Sequence, residues 1–281
     1  MAESYATEAG RSGEAGHILT DAHAHIGTED EIRERIRDGI PSLICAGSPR
    51  EAEKLKGLFN RFEAHPAIIP AAGLHPWNSD KYRAEKMFPF IEEWPVMGEI
   101  GMDALWCDVP LKIQKEAFEC QLDFAVKRRR PVVLHTKAQE AEIAGIIRRY
   151  PNRYLVHWYS CGQHLEQYLA QDCYVSIGPD AVWNPVVQKI AGQVPEDRLL
   201  IETDGLGAVK WAWEEGEKHG IMESPFYTAL PERTVYGSLE QTLRVVSRLR
   251  GVEADVLSKA IERNFRRFVW GDNIRQKEKN R

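Results

Sequence analysis

The chain has 281 residues, 43% hydrophobic and 28% charged, and its 42 acidic against 37 basic side chains give a formal net charge of −5. That balance is typical of a soluble globular protein long enough for one large domain or two ordinary ones. It offers no global attraction for nucleic acid, though it leaves room for a local basic groove, and no run of about 18 apolar residues is present to span a membrane.

Residues 1–17, beginning "MAESYATEAGRSGEAG", are small, polar and partly acidic, without the apolar stretch of a signal peptide, and are expected to be a disordered leader. Residues 272–281 are expected to be a solvated tail. Five cysteines (Cys45, Cys107, Cys120, Cys161 and Cys173) are scattered, odd in number and without CxxC spacing. This usage points to reduced thiols and a cytoplasmic location, and away from a disulfide framework or a thiolate zinc site.

The first candidate strand, 18–25, ends in "LTDAHAHIG". Residues two apart on a strand share a face, so Asp21, His23 and His25 would project together. Two imidazoles aimed at one point suggest a metal, and a solvated polar strand end is the plainer alternative at this stage. Further apolar, β-branched runs follow at 41–47, 67–75, 96–103, 131–137, 153–160, 173–180 and 198–205. Between them, stretches such as 29–39, 51–64, 111–129 and 139–150 carry apolar residues at helical spacing. Strand–helix alternation implies a parallel sheet with crossover helices, and this number of units predicts a (β/α)8 TIM barrel over 18–271 as a single domain. An open doubly wound sheet is the alternative.

A barrel builds its active site at the C-terminal ends of its strands. His23 and His25 end the first run, Glu99 lies near the end of the fourth, His135 ends the fifth, His157 the sixth and Asp204 the eighth. One strand-end histidine is ordinarily structural. Six metal-capable side chains at the same end of different strands point to a metal centre. His75, in "GLHPW", falls at the same mouth and could contact substrate or act structurally. Asp21, Asp103 and Glu202 are acids in otherwise apolar strands and are expected to orient ligand histidines. "KRRRP" at 127–131 falls at a helix end below the barrel, and a solvated helix C-terminus explains it better than a nucleic-acid patch.

In order and spacing these motifs resemble the TatD family of metal-dependent hydrolases, within the amidohydrolase superfamily. The resemblance rests on D-x-H-x-H at Asp21, His23 and His25, on "GEIGMD" at 98–103, "PVVLHTKA", "LVHWYSCG" and "LLIETDG", and on the closing "IERNFRRFVWG". It implies one metal held by His23, His25, Glu99 and Asp204, and a second held by Glu99, His135 and His157, with Glu99 as the bridge. It further implies catalysis by Asp204 and Glu99 with metal-activated water. A carboxylate can bridge two cations through its two oxygens, and ions about 3.5–4 Å apart can stabilise both attacking and leaving oxygens.

Two divalent ions per chain are therefore expected, zinc first, with manganese, magnesium, nickel or iron as other candidates. The implied activity is hydrolysis of a phosphate ester, as by a deoxyribonuclease, with DNA or another phosphate ester as substrate. The alternatives are a small-molecule ester, lactone or amide, or a non-catalytic metal-binding scaffold. No membrane and no obligate protein partner is expected. The chain departs from the family on the substrate side. Lys137 stands where arginine is usual, and a long loop bearing Trp211 and Trp213 follows Asp204 with no proline directly after it.

Overall fold

A computed structural model of the protein describes residues 17–227 and 234–272. The leader expected over 1–17 and the tail over 272–281 lie, but for His17 and Asp272, outside the described residues. Eight strands form one sheet in the order of the chain: β1 (Asp21–His25), β2 (Ser42–Ala46), β3 (Ile68–Ala72), β4 (Val96–Asp103), β5 (Val132–Lys137), β6 (Tyr154–Val156), β7 (Tyr174–Ile177) and β8 (Leu199–Ile201). Every neighbouring pair is parallel. Just beyond β8, the Asp204 N–H donates to the His23 carbonyl at 3.0 Å and Ala24 bridges Asp204, so β8 returns to β1. The fold is a (β/α)8 barrel.

Because helices cover the sheet, the strands are buried on both faces and read as near-continuous apolar runs such as "SLICA" and "IIPAA". Around them lie α1 (Glu29–Arg37), α2 (Pro49–Arg61), α3 (Phe88–Glu93), α4 (Leu111–Arg128), α5 (Glu140–Ile147), α6 (Leu165–Leu169), α7 (Pro185–Gln193), α8 (Leu206–Lys218), α9 (Val235–Arg250) and α10 (Ala254–Trp270). Local chemistry fixes their starts. Thr28 and Glu31 close a reciprocal capping box on α1, with Glu29, Asp30 and Glu31 in its first turn. Ser48 caps α2 ahead of Pro49.

Seven of the eight strands are shorter than the sequence pattern suggests, β6 and β8 most of all, and at those two the backbone turns early. After Val156 the chain turns at Trp158, whose φ of +36° is left-handed and whose N–H is taken by the Ser176 hydroxyl at 3.2 Å. After Ile201 it turns at Asp204, with φ +58°. His75, His157, Glu202 and Asp204 sit just past the ends of β3, β6 and β8.

The part of the segment after Asp204 that bears Trp211 and Trp213 is a helix and not a loop, and residues 228–233 further along it lie outside the described residues. Val209, Ala212 and Gly216 lie buried along one side of it, the periodicity of a helix, and α8 results. The "KRRRP" segment closes α4. Lys127 pairs with Asp123, Arg128 pairs with Glu92 at 2.8 Å, and Arg130 donates to the Ile91 and Glu92 carbonyls. All five cysteines are free. Among the described residues, no helix is long and apolar enough to cross a membrane.

Candidate metal centre

Glycines set where β4 can lie. At Gly101, φ +156°, an added Cβ would fall 2.0 Å from the His135 carbonyl oxygen. At Gly98, φ +152°, it would fall 2.7 Å from Val133 Cβ. The "GEIG" spacing thus allows β4 to press onto β5 and brings Glu99 and His135 together.

Glu99 is the hub. Its Oε2 lies 3.5 Å from His23 Nε2 and 3.5 Å from His25 Nε2. Its Oε1 lies 2.5 Å from His135 Nδ1 and 2.6 Å from His157 Nε2. Asp204 Oδ1 completes the first group, 3.2 Å from His23 Nε2 and 3.5 Å from His25 Nε2. The six side chains expected at the strand ends thus converge in two donor sets that share one carboxylate.

Burial alone would push the Glu99 carboxyl up, but His157, His135, His75 and His23 around it hold it well below the usual carboxylate range. Burial likewise raises Asp204, and His23 and His25 outweigh it, bringing the group down to about 2. Both carboxylates are ionised at neutral pH.

The first set carries a deficit. His23 Nε2, Glu99 Oε2 and Asp204 Oδ1 are buried and make no hydrogen bond among the described residues. Buried polar atoms are almost always satisfied, so converging lone pairs of this kind fit a cation between them. In the second set the Nδ1 of His135 and the Nε2 of His157 stand 3.4 Å apart with Glu99 Oε1 against both. These donors, imidazole nitrogen and carboxylate oxygen, suit a divalent transition metal or zinc.

The acids around the centre differ in what they hold. Asp103 Oδ2 lies 3.0 Å from His135 Nε2, and Glu202 Oε1 lies 3.2 Å from His157 Nδ1. Each fixes which ring nitrogen turns to Glu99. Asp21 does not do this. Its carboxylate accepts from the Thr203 N–H at 2.9 Å, the Thr203 hydroxyl at 2.6 Å and Arg35 at 2.9 Å. Asp21 therefore anchors the turn that presents Asp204, because the register of β1 shifts between Asp21 and Ala24 and removes it from the histidine face.

His75 and Lys137 line the mouth. His75 Nε2 lies 3.6 Å from Glu99 Oε2, while its Nδ1 accepts the Trp77 N–H at 3.2 Å. Burial drives this imidazole down to about 3, so it is neutral, and with Nδ1 occupied the ring proton sits on Nε2. His75 thus turns an N–H donor toward the centre. Lys137 is buried and donates to the Trp158 carbonyl at 2.9 Å and to Ser160 at 3.4 Å, between the rings of Trp106 and Trp158.

The sequence profile described as "TatD related DNase" matches residues 20–269. The chain belongs to the TatD family. Within it, the chain is 24% identical over 205 residues to the uncharacterized metal-dependent hydrolase YabD of Bacillus subtilis, covering 66% of this chain and 80% of that one. It is 23% identical over 266 residues to the 3'-5' ssDNA/RNA exonuclease TatD of Dickeya dadantii, covering 90% and 96%. Among solved structures, the TatD homologue YJJV of Escherichia coli superposes with a TM-score of 0.70 at 19% identity, covering 89% of this chain and 97% of that one. This protein is accordingly a metal-dependent hydrolase of the TatD family.

Trp77, Trp106, Trp158 and Asp180 also shape this TatD site and were not singled out in the sequence. Trp158 is locked by its indole N–H to Asp180 at 2.7 Å, and its ring lies so close to Gly178 that a Cβ there would sit 2.6 Å away. Trp211 meets both Trp158 and Trp106 edge to face at 5.9 Å. Trp213 instead packs against Tyr227 and the core. Asp103 also places the rim, accepting from Trp77 Nε1 at 2.7 Å and from the Trp106 N–H at 2.8 Å. A buried aspartate beside adjacent tryptophans was the available signal.

Proposed function

We propose that the protein hydrolyses phosphodiester bonds, as a nuclease of the TatD type, with two divalent ions held in its barrel mouth. The observation that carries this is the division of Glu99, one oxygen on His23 and His25 and the other on His135 and His157. His23, His25, Glu99 and Asp204 would hold one ion, and Glu99, His135 and His157 the other; zinc fits the four imidazoles, and manganese, iron, nickel or magnesium fit the carboxylates. Ions so placed supply Lewis-acid polarisation of a phosphoryl oxygen and acidify water. The exonuclease activity named for the Dickeya dadantii relative supports a nucleic-acid substrate.

The chain's own residues have distinct tasks. Asp204, ionised and partly open to the mouth, accepts the proton of the attacking water on its carboxylate. His75 donates Nε2–H to a substrate oxygen. Lys137 spends two donors on Trp158 and Ser160 and keeps the third for a non-bridging oxygen. Asp103 and Glu202 keep the ligand rings turned inward.

A small ester, lactone or amide is the second candidate. It is favoured by the partly spent ammonium of Lys137 and by the half-exposed Trp106 and Trp211 beside it, which would wall a neutral ring. Lys137 separates the two. On a phosphodiester, Lys137→Ala should cost about 2–4 kcal/mol of transition-state stabilisation, with much of it restored in Lys137→Arg. On a neutral ester the same change should matter far less. The measurement is kcat/KM of the three forms on one substrate of each kind, and equal indifference on both would remove Lys137 from the mechanism.

A further inference from the structure

Three of the four histidines at the centre have their far ring nitrogens accounted for. His135 and His157 each turn one nitrogen to Glu99 and the other to a carboxylate, of Asp103 at 3.0 Å and of Glu202 at 3.2 Å. The His25 side chain is 44% exposed, so water can serve it. His23 is wholly buried and has neither. Its Nε2 faces Asp204 at 3.2 Å and Glu99 at 3.5 Å, while its Nδ1 has no hydrogen-bond partner of ordinary geometry among the described residues. With Nε2 turned to an ion, Nδ1 carries the ring proton, and a buried N–H is seldom left without an acceptor.

The Cys45 side chain lies against that ring. β1 and β2 pair His25 with Cys45, and residues opposite each other in a parallel ladder point to one face. The thiol therefore enters the barrel on the histidine side, one diagonal step from His23. On its other flank β3 sets Ala71 against Cys45, a methyl with no polar atom. The polar groups that this wholly buried thiol meets are those of the centre, His23, Glu99 and Asp204. Burial, with Glu99 and Asp204 adding to it, holds the thiol protonated and uncharged.

A neutral partner suits this position. The first donor set already brings two carboxylates, Glu99 and Asp204, to one divalent ion. The second has only its share of Glu99, and the acids behind its two histidines make up the difference. We infer that Cys45 is a positioning residue of the metal centre: its sulfur accepts the His23 Nδ1–H, fixing the tautomer that presents Nε2 to the first ion. The inference rests on the two-ion centre proposed above, and adds to it a side chain that touches neither ion nor substrate.

The test uses the full chain in a His157→Ala background, which keeps the first ion alone, with Cys45→Ser, Cys45→Ala and Cys45→Val added in turn. Zinc affinity is measured by competition with a chromophoric chelator, and the cobalt-loaded forms are compared by visible absorption. Thermal unfolding of the metal-free forms checks that each variant folds. Cys45→Ala and Cys45→Val should weaken the ion by about 10–100-fold, the usual cost of losing the partner behind a ligand. Cys45→Ser, which restores an acceptor, should stay within a few-fold of the parent and keep its cobalt spectrum. Valine is close to the thiol in size and apolarity, so a packing role would give the opposite order, with valine near parental and serine weakest.

That opposite order, or equal affinity in all four forms, would overturn the inference. So would a sulfur-to-cobalt charge-transfer band in the near ultraviolet that Cys45→Ser lacks, which would make Cys45 a ligand. If neither the parent chain nor the folded His157→Ala chain binds an ion, the two-ion centre falls and the inference with it. Ion binding with the wrong order among the variants removes Cys45 alone.

Discussion

Each side chain at the centre is specified by what its far end touches. Neutral His75 accepts the Trp77 N–H on Nδ1, which leaves its proton on Nε2 facing the centre, the arrangement of a hydrogen-bond donor. His75→Ala should leave metal content unchanged while removing about 1.5–3 kcal/mol of transition-state stabilisation, the worth of one hydrogen bond to a charged group. A matched metal assay and kcat/KM check this, and loss of an ion from the variant would make His75 a ligand instead. His157 behaves differently. Burial disfavours its charge, but Glu99 beside it outweighs that and raises the ring to about 9. The sign follows from the raised folded value. In metal-free protein the protonated ring contributes stability fully below the unfolded pKa near 6.5, and that contribution is lost as pH rises through about 9. Metal must displace the same proton, so metal affinity should climb with pH and level off near 9, with proton release on binding below that point. Calorimetric titration with zinc at several pH values in buffers of different ionisation enthalpy measures both.

The elements explain why some of this was legible in the sequence and some was not. Strand parity put His23 and His25 on one face, and β4 and β5 carried Glu99 and His135 where apolar runs predicted them. Parity failed for Asp21 because β1 changes register after it, and strand length failed at β6 and β8 because Trp158 and Asp204 take left-handed backbone. Neither event has a local sequence cue; both depend on partners far along the chain, Ser176 for Trp158 and Asp21 for the turn at Thr203. Apolar spacing at Val209, Ala212 and Gly216 did carry the helical signal for α8, which its charged residues obscured. Two stability predictions belong here. Gly101→Ala should break the β4–β5 pairing, since its Cβ has no room beside the His135 carbonyl, and the variant should be recovered largely unfolded by circular dichroism. Asp21→Ala leaves buried Arg35 with only the more distant Glu31 carboxylate, 3.9 Å away, and should cost about 3–5 kcal/mol in urea unfolding. A change below about 1 kcal/mol, the worth of an exposed pair, would show that the Arg35–Asp21–Thr203 link does not tie β1 to the turn carrying Asp204.

At the scale of the molecule, the barrel gathers side chains from the ends of β1, β3, β5, β6 and β8 around one carboxylate on β4, and its rim departs from the pattern that made the family recognisable. The ligand set was readable because barrel topology forces strand ends together. The rim was not, because α2, the turn after β3 and α8 contribute Arg50, Lys81 and Trp211 from positions unrelated in sequence. The central claim is that Glu99 joins two ion sites. It is tested most directly by counting metal in three forms of the purified chain with inductively coupled plasma mass spectrometry after equilibration with zinc. The parent chain should bind about two ions, as a shared-carboxylate centre requires. His157→Ala should retain about one, on His23, His25, Glu99 and Asp204, and Glu99→Ala, still folded by circular dichroism, should bind neither tightly. A folded Glu99→Ala chain that keeps both ions would contradict the bridge.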